Sequence, residues 1–140
     1  MNEQQNTALV RKLYDAFEKG DIQTILGNLT GDAEWIQDGP TVIPYAGKKT
    51  GPTQVRQFFD ALVGTQDKMK LTIDHFIAQG DEVATLGRYT ATVKATGKQF
   101  DSRVAHFFTI RDGKVSRWIG TGDTTDAVAA YSSSSAAGAR

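Results

Sequence analysis

Four ionisable side chains, Asp38, Arg88, His106 and Asp123, lie on or at the ends of predicted strands that are otherwise apolar. A carboxylate held away from water has a raised pKa and can act as a general base near neutral pH. Asp38 and Asp123 are the two candidates for that base. An arginine in mid-strand either faces solvent on an edge or pairs with a buried carboxylate. If its strand is central in the sheet, we expect Arg88 to bind one of these two aspartates. The pairing would position the carboxylate and lower the pKa of the carboxylate.

Two of these residues also have purely structural interpretations. Asp123 precedes a predicted helix, so its carboxylate could simply cap that helix. His106 lies between apolar neighbours and could be a hydrogen-bonded core or interface histidine rather than a catalytic one. The other histidine, His75, is expected at the surface. Because the two histidines are far apart and neither has a glutamate at helical spacing, the sequence predicts no metal site.

A set of aromatic side chains has two interpretations, as core or as the lining of a pocket for a flat apolar ligand. Its members are Trp35, Tyr45, Phe58, Phe59, Phe107 and Trp118. Nucleophilic catalysis is not indicated, because the chain has no cysteine and no serine lies in a nucleophile elbow. The segment GKKTG at 47–51 lacks the spacing of a phosphate-binding loop and is interpreted as a turn. We expect no cofactor.

The elements that must position these residues follow from periodicity and turn signals. Residues 98–123 predict a long hairpin that turns at Asp112-Gly113. Upstream strands are predicted at 33–37, 70–79 and 82–95. Helices are predicted at 7–19, from 22 to about 31, and from Pro52 onward, with a last short helix at 124–131. The sequence thus predicts one domain, residues 1–131, followed by a flexible tail at 132–140.

The order of the elements, with helices first and antiparallel strands afterwards, predicts an α+β fold. We expect three N-terminal helices packed on a strongly curved, mostly antiparallel sheet, with a cavity at its open end. The hairpin is apolar on both faces, so the outer face of the sheet is expected to be covered by a second copy in a homodimer.

Composition excludes several classes of partner. The chain has 16 basic and 16 acidic residues, without a cluster of either sign, which disfavours a nucleic-acid or anionic membrane partner. No apolar run is long enough to span a membrane, and the amino-terminal segment lacks the apolar centre of a signal peptide. We therefore expect a cytoplasmic protein that binds a small molecule.

Several motifs carry a resemblance to a known superfamily. They are YDAFEKGD, the strand at 33–35, the loop from Tyr45 to Gly51, and AHFFTIRDGKVSRW running to Asp123. With the order of the predicted elements, they resemble the nuclear transport factor 2-like superfamily, which includes ketosteroid isomerases, limonene epoxide hydrolase and SnoaL-like polyketide cyclases. The resemblance covers nearly the whole chain and implies a cone-shaped, cystatin-like α+β barrel.

The resemblance implies different site residues for each relative. Compared with epoxide hydrolases, Arg88 and Asp123 match, but Thr90 replaces one of the two aspartates that activate water. Compared with steroid isomerases, Asp38 matches the base, whereas Leu13 and Ala105 stand where the two oxyanion donors would be. Compared with SnoaL-like cyclases, Asp123 matches the base, and this match is the most complete.

Two classes of function remain open. One is a cofactor-independent isomerase or cyclase that moves a proton on an apolar carbonyl compound with Asp123 or Asp38 as base. The other is a module without chemistry: either a binding module, in which Arg88, His106 and Tyr45 orient a small acid in an aromatic pocket, or a dimerisation domain whose pocket is filled by its own side chains. Water activation of the epoxide hydrolase type is a further alternative.

Overall fold

The computed structural model describes residues 2–132, which form four helices and six strands. In chain order these are α1 (Glu3–Glu18), α2 (Ile22–Gly27), β1 (Leu29–Gln37), β2 (Gly47–Thr50), α3 (Gly51–Thr65), β3 (Gln66–Gln79), β4 (Glu82–Val93), β5 (Gln99–Arg111), β6 (Lys114–Gly122) and α4 (Thr125–Tyr131). Of the predicted tail, only Ser132 is described, and its hydroxyl donates to the carbonyl of Val128 (2.7 Å). Residues 133–140 lie outside the described part of the chain.

The six strands form one sheet in the order β2-β1-β6-β5-β4-β3. Every neighbouring pair is antiparallel except β1 and β6, which run parallel. The helices pack on the curved sheet, so the predicted α+β cone with a mostly antiparallel sheet is confirmed. The predicted hairpin is β5–β6, and both of its turn residues have positive φ, 53° at Asp112 and 77° at Gly113.

Helix α1 begins four residues earlier than the periodicity predicts, because a capping box holds its first turn. The Asn2 side chain accepts from the Gln5 N–H, and the Gln5 side chain accepts from the Asn2 N–H. The same turn is tied to the sheet, since the Glu3 carboxylate accepts from the N–H of Gly80 in the β3–β4 turn (2.8 Å). The apolar face of α1 is thereby set over β3 and β4.

The sequence indicated a turn at 47–51, and this interpretation is wrong. Residues 47–50 form β2, a short edge strand antiparallel to β1, in which Lys49 pairs with Trp35. The Lys48 ammonium lies 3.1 Å from the Glu34 carboxylate of β1. Strand β2 has no apolar alternation that periodicity could detect, and its pairing comes from the neighbouring strand.

Alternation along the central strands separates an inner face from an outer face. On β5 the even-numbered residues from Phe100 to Ile110 point inward and are mostly buried, and the odd-numbered ones point outward. Helix α3 covers the inner face with Val55, Phe58, Phe59 and Leu62, all buried. Within residues 2–132, no helix has the length and apolar character needed to cross a membrane.

Candidate functional site

A cavity of about 120 Å³ lies between the helices and the inner face of the sheet. Its walls come from α1, α3 and the inward positions of β1, β4, β5 and β6. Most of the lining is apolar or aromatic: Leu13, Tyr14, Phe17, Trp35, Tyr45, Phe58, Phe59, Leu62, Tyr89, Phe100, Val104, His106, Phe108 and Trp118. A curved sheet that cannot close on the helices at its open end leaves such a space.

The floor of the cavity is a stack of rings. Trp35 and Trp118 are register partners in the parallel β1–β6 pair, and their rings stack with centroids 4.4 Å apart. The His106 ring lies beside this pair, tilted by 57° against Trp118 with centroids 5.0 Å apart. Gly120 makes this arrangement possible, because a Cβ there would run into the Trp118 ring. The ring stack therefore depends on a position without a side chain.

Five of the six predicted aromatic residues line the cavity: Trp35, Tyr45, Phe58, Phe59 and Trp118. The sixth, Phe107, does not. It occupies an outward position of β5, where it is 48% exposed. Successive residues of a strand face opposite sides of the sheet. Because His106 and Phe108 face the cavity, Phe107 faces away from it.

His106 is buried at the centre of the cavity wall, and two residues that the sequence did not single out hold it there. The Tyr14 hydroxyl of α1 lies 2.7 Å from His106 Nδ1 and 2.7 Å from the Thr85 hydroxyl of β4. Burial lowers the pKa of His106 from 6.5 to about 4. Burial also raises the pKa of Tyr14, so both rings are neutral at pH 7. Helical periodicity identified Tyr14 only as apolar, because its partners are distant in sequence.

Of the two candidate bases, only Asp123 reaches the cavity. It lies after the end of β6, exposed at the rim, and its Oδ1 accepts from the Thr125 N–H at the start of α4 (3.0 Å). Hydrogen bonds from the backbone and side chain of Thr125 lower the pKa of Asp123. Asp38 is exposed in the loop after β1 and does not line the cavity. The N-cap of α4 is Thr124, so Asp123 accepts from the first N–H of the helix from the position before the cap.

Arg88 lies on the outer face of the sheet and binds neither candidate base. Its guanidinium contacts the Asp101 carboxylate of β5 at 2.9 Å, and both side chains are about half exposed. The expected pairing with Asp123 or Asp38 is therefore wrong. Thr90 has the same outward parity as Arg88, so the arrangement that resembles epoxide hydrolases is not assembled in the cavity.

A second polar cluster, also missed from the sequence, orients Tyr45. Gln66 is only 1% exposed, and its amide nitrogen donates to the hydroxyls of Tyr45 (2.9 Å) and Tyr131 (2.7 Å). Its amide oxygen accepts from the Tyr89 hydroxyl. One glutamine therefore joins the loop before β2, strand β4 and helix α4. The four residues are widely spaced in sequence and share no motif.

Two fully buried polar atoms of the lining residues have no hydrogen-bond partner among residues 2–132. They are the indole Nε1 of Trp35 and the hydroxyl of Ser102. A buried polar group without a partner costs about 1–3 kcal/mol, which makes such atoms uncommon in folded proteins. In the same part of the chain, no three His, Asp or Glu side chains are grouped closely enough to hold a metal ion.

Comparisons with known proteins agree with this geometry. An NTF2-like protein of unknown function from Burkholderia pseudomallei superimposes with a TM-score of 0.86 at 25% identity, over 95% of this chain and 100% of that one. An NTF2-like protein from Burkholderia thailandensis gives 0.85 at 26% identity, over 94% and 99%. TerC, co-crystallised with polyporic acid, gives 0.82 at 26% identity, over 91% and 98%.

A search of curated proteins finds no significant match. The family profile of the SnoaL-like domain matches residues 10–118, which include the cavity wall from α1 to Trp118. The chain therefore belongs to the SnoaL-like domain family, within the NTF2-like superfamily.

Proposed function

We propose that this protein binds a small, flat, mostly apolar or aromatic molecule in the cone cavity. The observation that carries the proposal is the lining itself, since stacked rings and aliphatic side chains surround an open space instead of filling it. Close packing is the rule in protein interiors, and an unfilled aromatic space is typical of a ligand site.

The size of the space supports a ligand of one or two rings. A single water needs about 10–15 Å³ of such space, so about 120 Å³ corresponds to roughly ten non-hydrogen atoms. TerC, which has the same fold, was co-crystallised with polyporic acid. Polyporic acid, with three rings, exceeds the volume of this cavity, so a one- or two-ring aromatic ketone is the rational first probe for this chain.

The two tryptophans give a direct test, because they are the only ones in the chain and both line the cavity. We expect small aromatic ketones such as 1-indanone to quench their fluorescence and to raise the melting temperature. Ala127→Phe, which puts a ring into the cavity from α4, should abolish both effects. Ala129→Phe is the matched control, since Ala129 is exposed on the same helix and should leave binding intact. Equal binding by both variants would contradict the proposal.

A second candidate is proton transfer on a bound ketone with Asp123 as base, and the observation that favours it is the position of Asp123 at the cavity rim. Exchange of the α-protons of 1-indanone in D₂O, followed by NMR, tests this without a known substrate. If Asp123 is the base, Asp123→Asn should abolish protein-dependent exchange. Asp38→Asn, which changes an exposed carboxylate outside the cavity, is the control. Exchange that survives in Asp123→Asn would refute an Asp123 base.

A further inference from the structure

We propose that His106 is a neutral hydrogen-bond donor to the ligand, with Tyr14 as its positioning residue, and that the ligand presents an uncharged acceptor such as a ketone or quinone oxygen. The ligand class rests on the proposed function, because it presupposes that the cavity is occupied. The proton arrangement on His106 does not depend on a ligand and is argued first.

Two proton orders give the buried Tyr14 hydrogen an acceptor. In the first, Thr85 donates to Tyr14 and Tyr14 donates to His106 Nδ1, which leaves the imidazole proton on Nε2. In the second, Nδ1–H donates to Tyr14 and Tyr14 donates to Thr85. The buried Thr85 hydroxyl then has no acceptor among residues 2–132, because Tyr14 is its only hydrogen-bond partner there. A buried hydroxyl without an acceptor is costly, so the first order is favoured.

We infer that the Nε2 atom of His106 faces the cavity. His106 lines the cavity, and within residues 2–132 no hydrogen bond uses its Nε2. Within the same residues, Nε2 is not one of the fully buried polar atoms that lack a hydrogen-bond partner. It therefore keeps accessible surface, and the first proton order directs an N–H into the cavity.

The imidazole remains neutral while it donates. Burial depresses the pKa of His106 to about 4, and within residues 2–132 no carboxylate contacts it that would stabilise the charged form. The groups around the His106 ring are the Tyr14 and Thr85 hydroxyls and the rings of Phe108 and Trp118. Near pH 7 the group is thus a fixed dipole rather than a cation.

The charges around the cavity favour an uncharged ligand. Among the lining residues only Arg103 and Asp123 are charged, and both are exposed. Arg88, which would have suited an acid, is bound to Asp101 on the outer face. A carboxylate at His106 would therefore be buried without a counter-ion, which is strongly unfavourable, whereas a carbonyl oxygen needs only one donor.

The proton order is tested on the ligand-free protein by ¹⁵N NMR of the histidine side chains at pH 7. We expect His106 to carry its proton on Nε2 in the wild type and to lose this single tautomer in Tyr14→Phe. A merely structural role of Tyr14 would not move the tautomer. His75→Gln serves for assignment, since it removes the only other imidazole. A proton on Nδ1 in the wild type would overturn the proposal.

The ligand class is tested with three probes of one shape, 1-indanone, indane and indane-1-carboxylate, titrated into ¹⁵N-labelled protein. One hydrogen bond predicts that the ketone binds about three- to ten-fold tighter than the hydrocarbon, and that the carboxylate binds weakest. His106→Leu should erase the preference for the ketone. His106→Gln, which keeps an N–H at a similar reach, should retain part of it.

The outcomes separate this inference from the proposed function. Equal binding of indanone and indane, or tightest binding of the carboxylate, would overturn the ligand class while leaving a ligand-binding cavity in place. If none of the three probes binds, the proposed function and the ligand class both fall. The tautomer experiment still decides the proton order in that case.

Discussion

At the scale of single residues, His106 makes the free energy of unfolding depend on pH. It is neutral when folded, with a pKa of about 4, and returns to about 6.5 when the chain unfolds. Between these values the unfolded state binds one more proton, so the free energy of unfolding falls as the pH drops from 6.5 towards 4. Above pH 6.5 this contribution is constant. The full loss is about 3 kcal/mol.

Urea unfolding at pH 7 and at pH 4.5 measures this dependence. We expect His106→Gln to be less stable than the wild type at pH 7 but to lose less of its stability on acidification. His75→Gln, which removes the exposed histidine, should keep the wild-type dependence. The same acid sensitivity in His106→Gln would show that other groups cause it.

The residue scale is also where the sequence was least informative. Of the six aromatic residues assigned to the lining from the sequence, five do line the cavity. Phe107 was misassigned because the hairpin is apolar on both faces, and only the alternation of the folded strand separates them. Tyr14, Thr85 and Gln66 were missed because hydrogen bonds between distant side chains leave no periodic signal.

At the scale of elements, the Gln66 cluster is expected to hold α4 and the loop before β2 against the sheet. Gln66→Leu keeps the volume roughly constant but leaves the buried Tyr89 hydroxyl without an acceptor. We expect the free energy of unfolding to fall by about 2 kcal/mol or more. Chemical denaturation measures it.

Two further variants isolate the cause of that loss. Adding Tyr89→Phe to Gln66→Leu removes the orphaned hydroxyl, so part of the stability should return. Gln79→Leu makes the same exchange at the exposed end of β3 and should change stability little. A double variant less stable than Gln66→Leu would contradict this account of the cluster.

The long elements were predictable because each has its own periodicity or turn chemistry. The β5–β6 hairpin followed from its Asp-Gly turn, and α3 followed from its apolar face. The bounds were less exact, since α1 starts at a capping box and β3 begins at Gln66, four residues before the predicted strand. Strand β2 has no pattern of its own and exists through its pairing with β1.

At the scale of the whole molecule, an apolar row crosses the outer face of the sheet. Ile77, Ala84, Phe107 and Ile119 are successive register partners on β3, β4, β5 and β6. Ile77 is 66% exposed and Phe107 is 48% exposed. We propose that this row is the contact of a homodimer, because exposed apolar patches of this kind are typical of interfaces between subunits.

Phe107→Glu should therefore shift the protein from dimer to monomer in analytical ultracentrifugation, with tryptophan fluorescence unchanged. A buried charge in the middle of a symmetric contact is unpaired on both subunits. Val63→Glu is the matched control, because Val63 is 46% exposed on α3, away from the sheet. A wild type that sediments as a monomer at all concentrations would refute the proposal.

The parallel pairing of β1 with β6 also has a consequence for how the chain is made. Strand β1 is among the first elements to leave the ribosome and β6 is the last strand to follow, with β2 to β5 between them. Until β6 arrives, β1 has only the short β2 as a neighbour and presents an open edge. Such distant pairing makes folding slow and leaves intermediates prone to aggregate. We therefore expect the sheet to remain incomplete until β6 has emerged, and variants that weaken β6 to depend on chaperones before they lose their native structure.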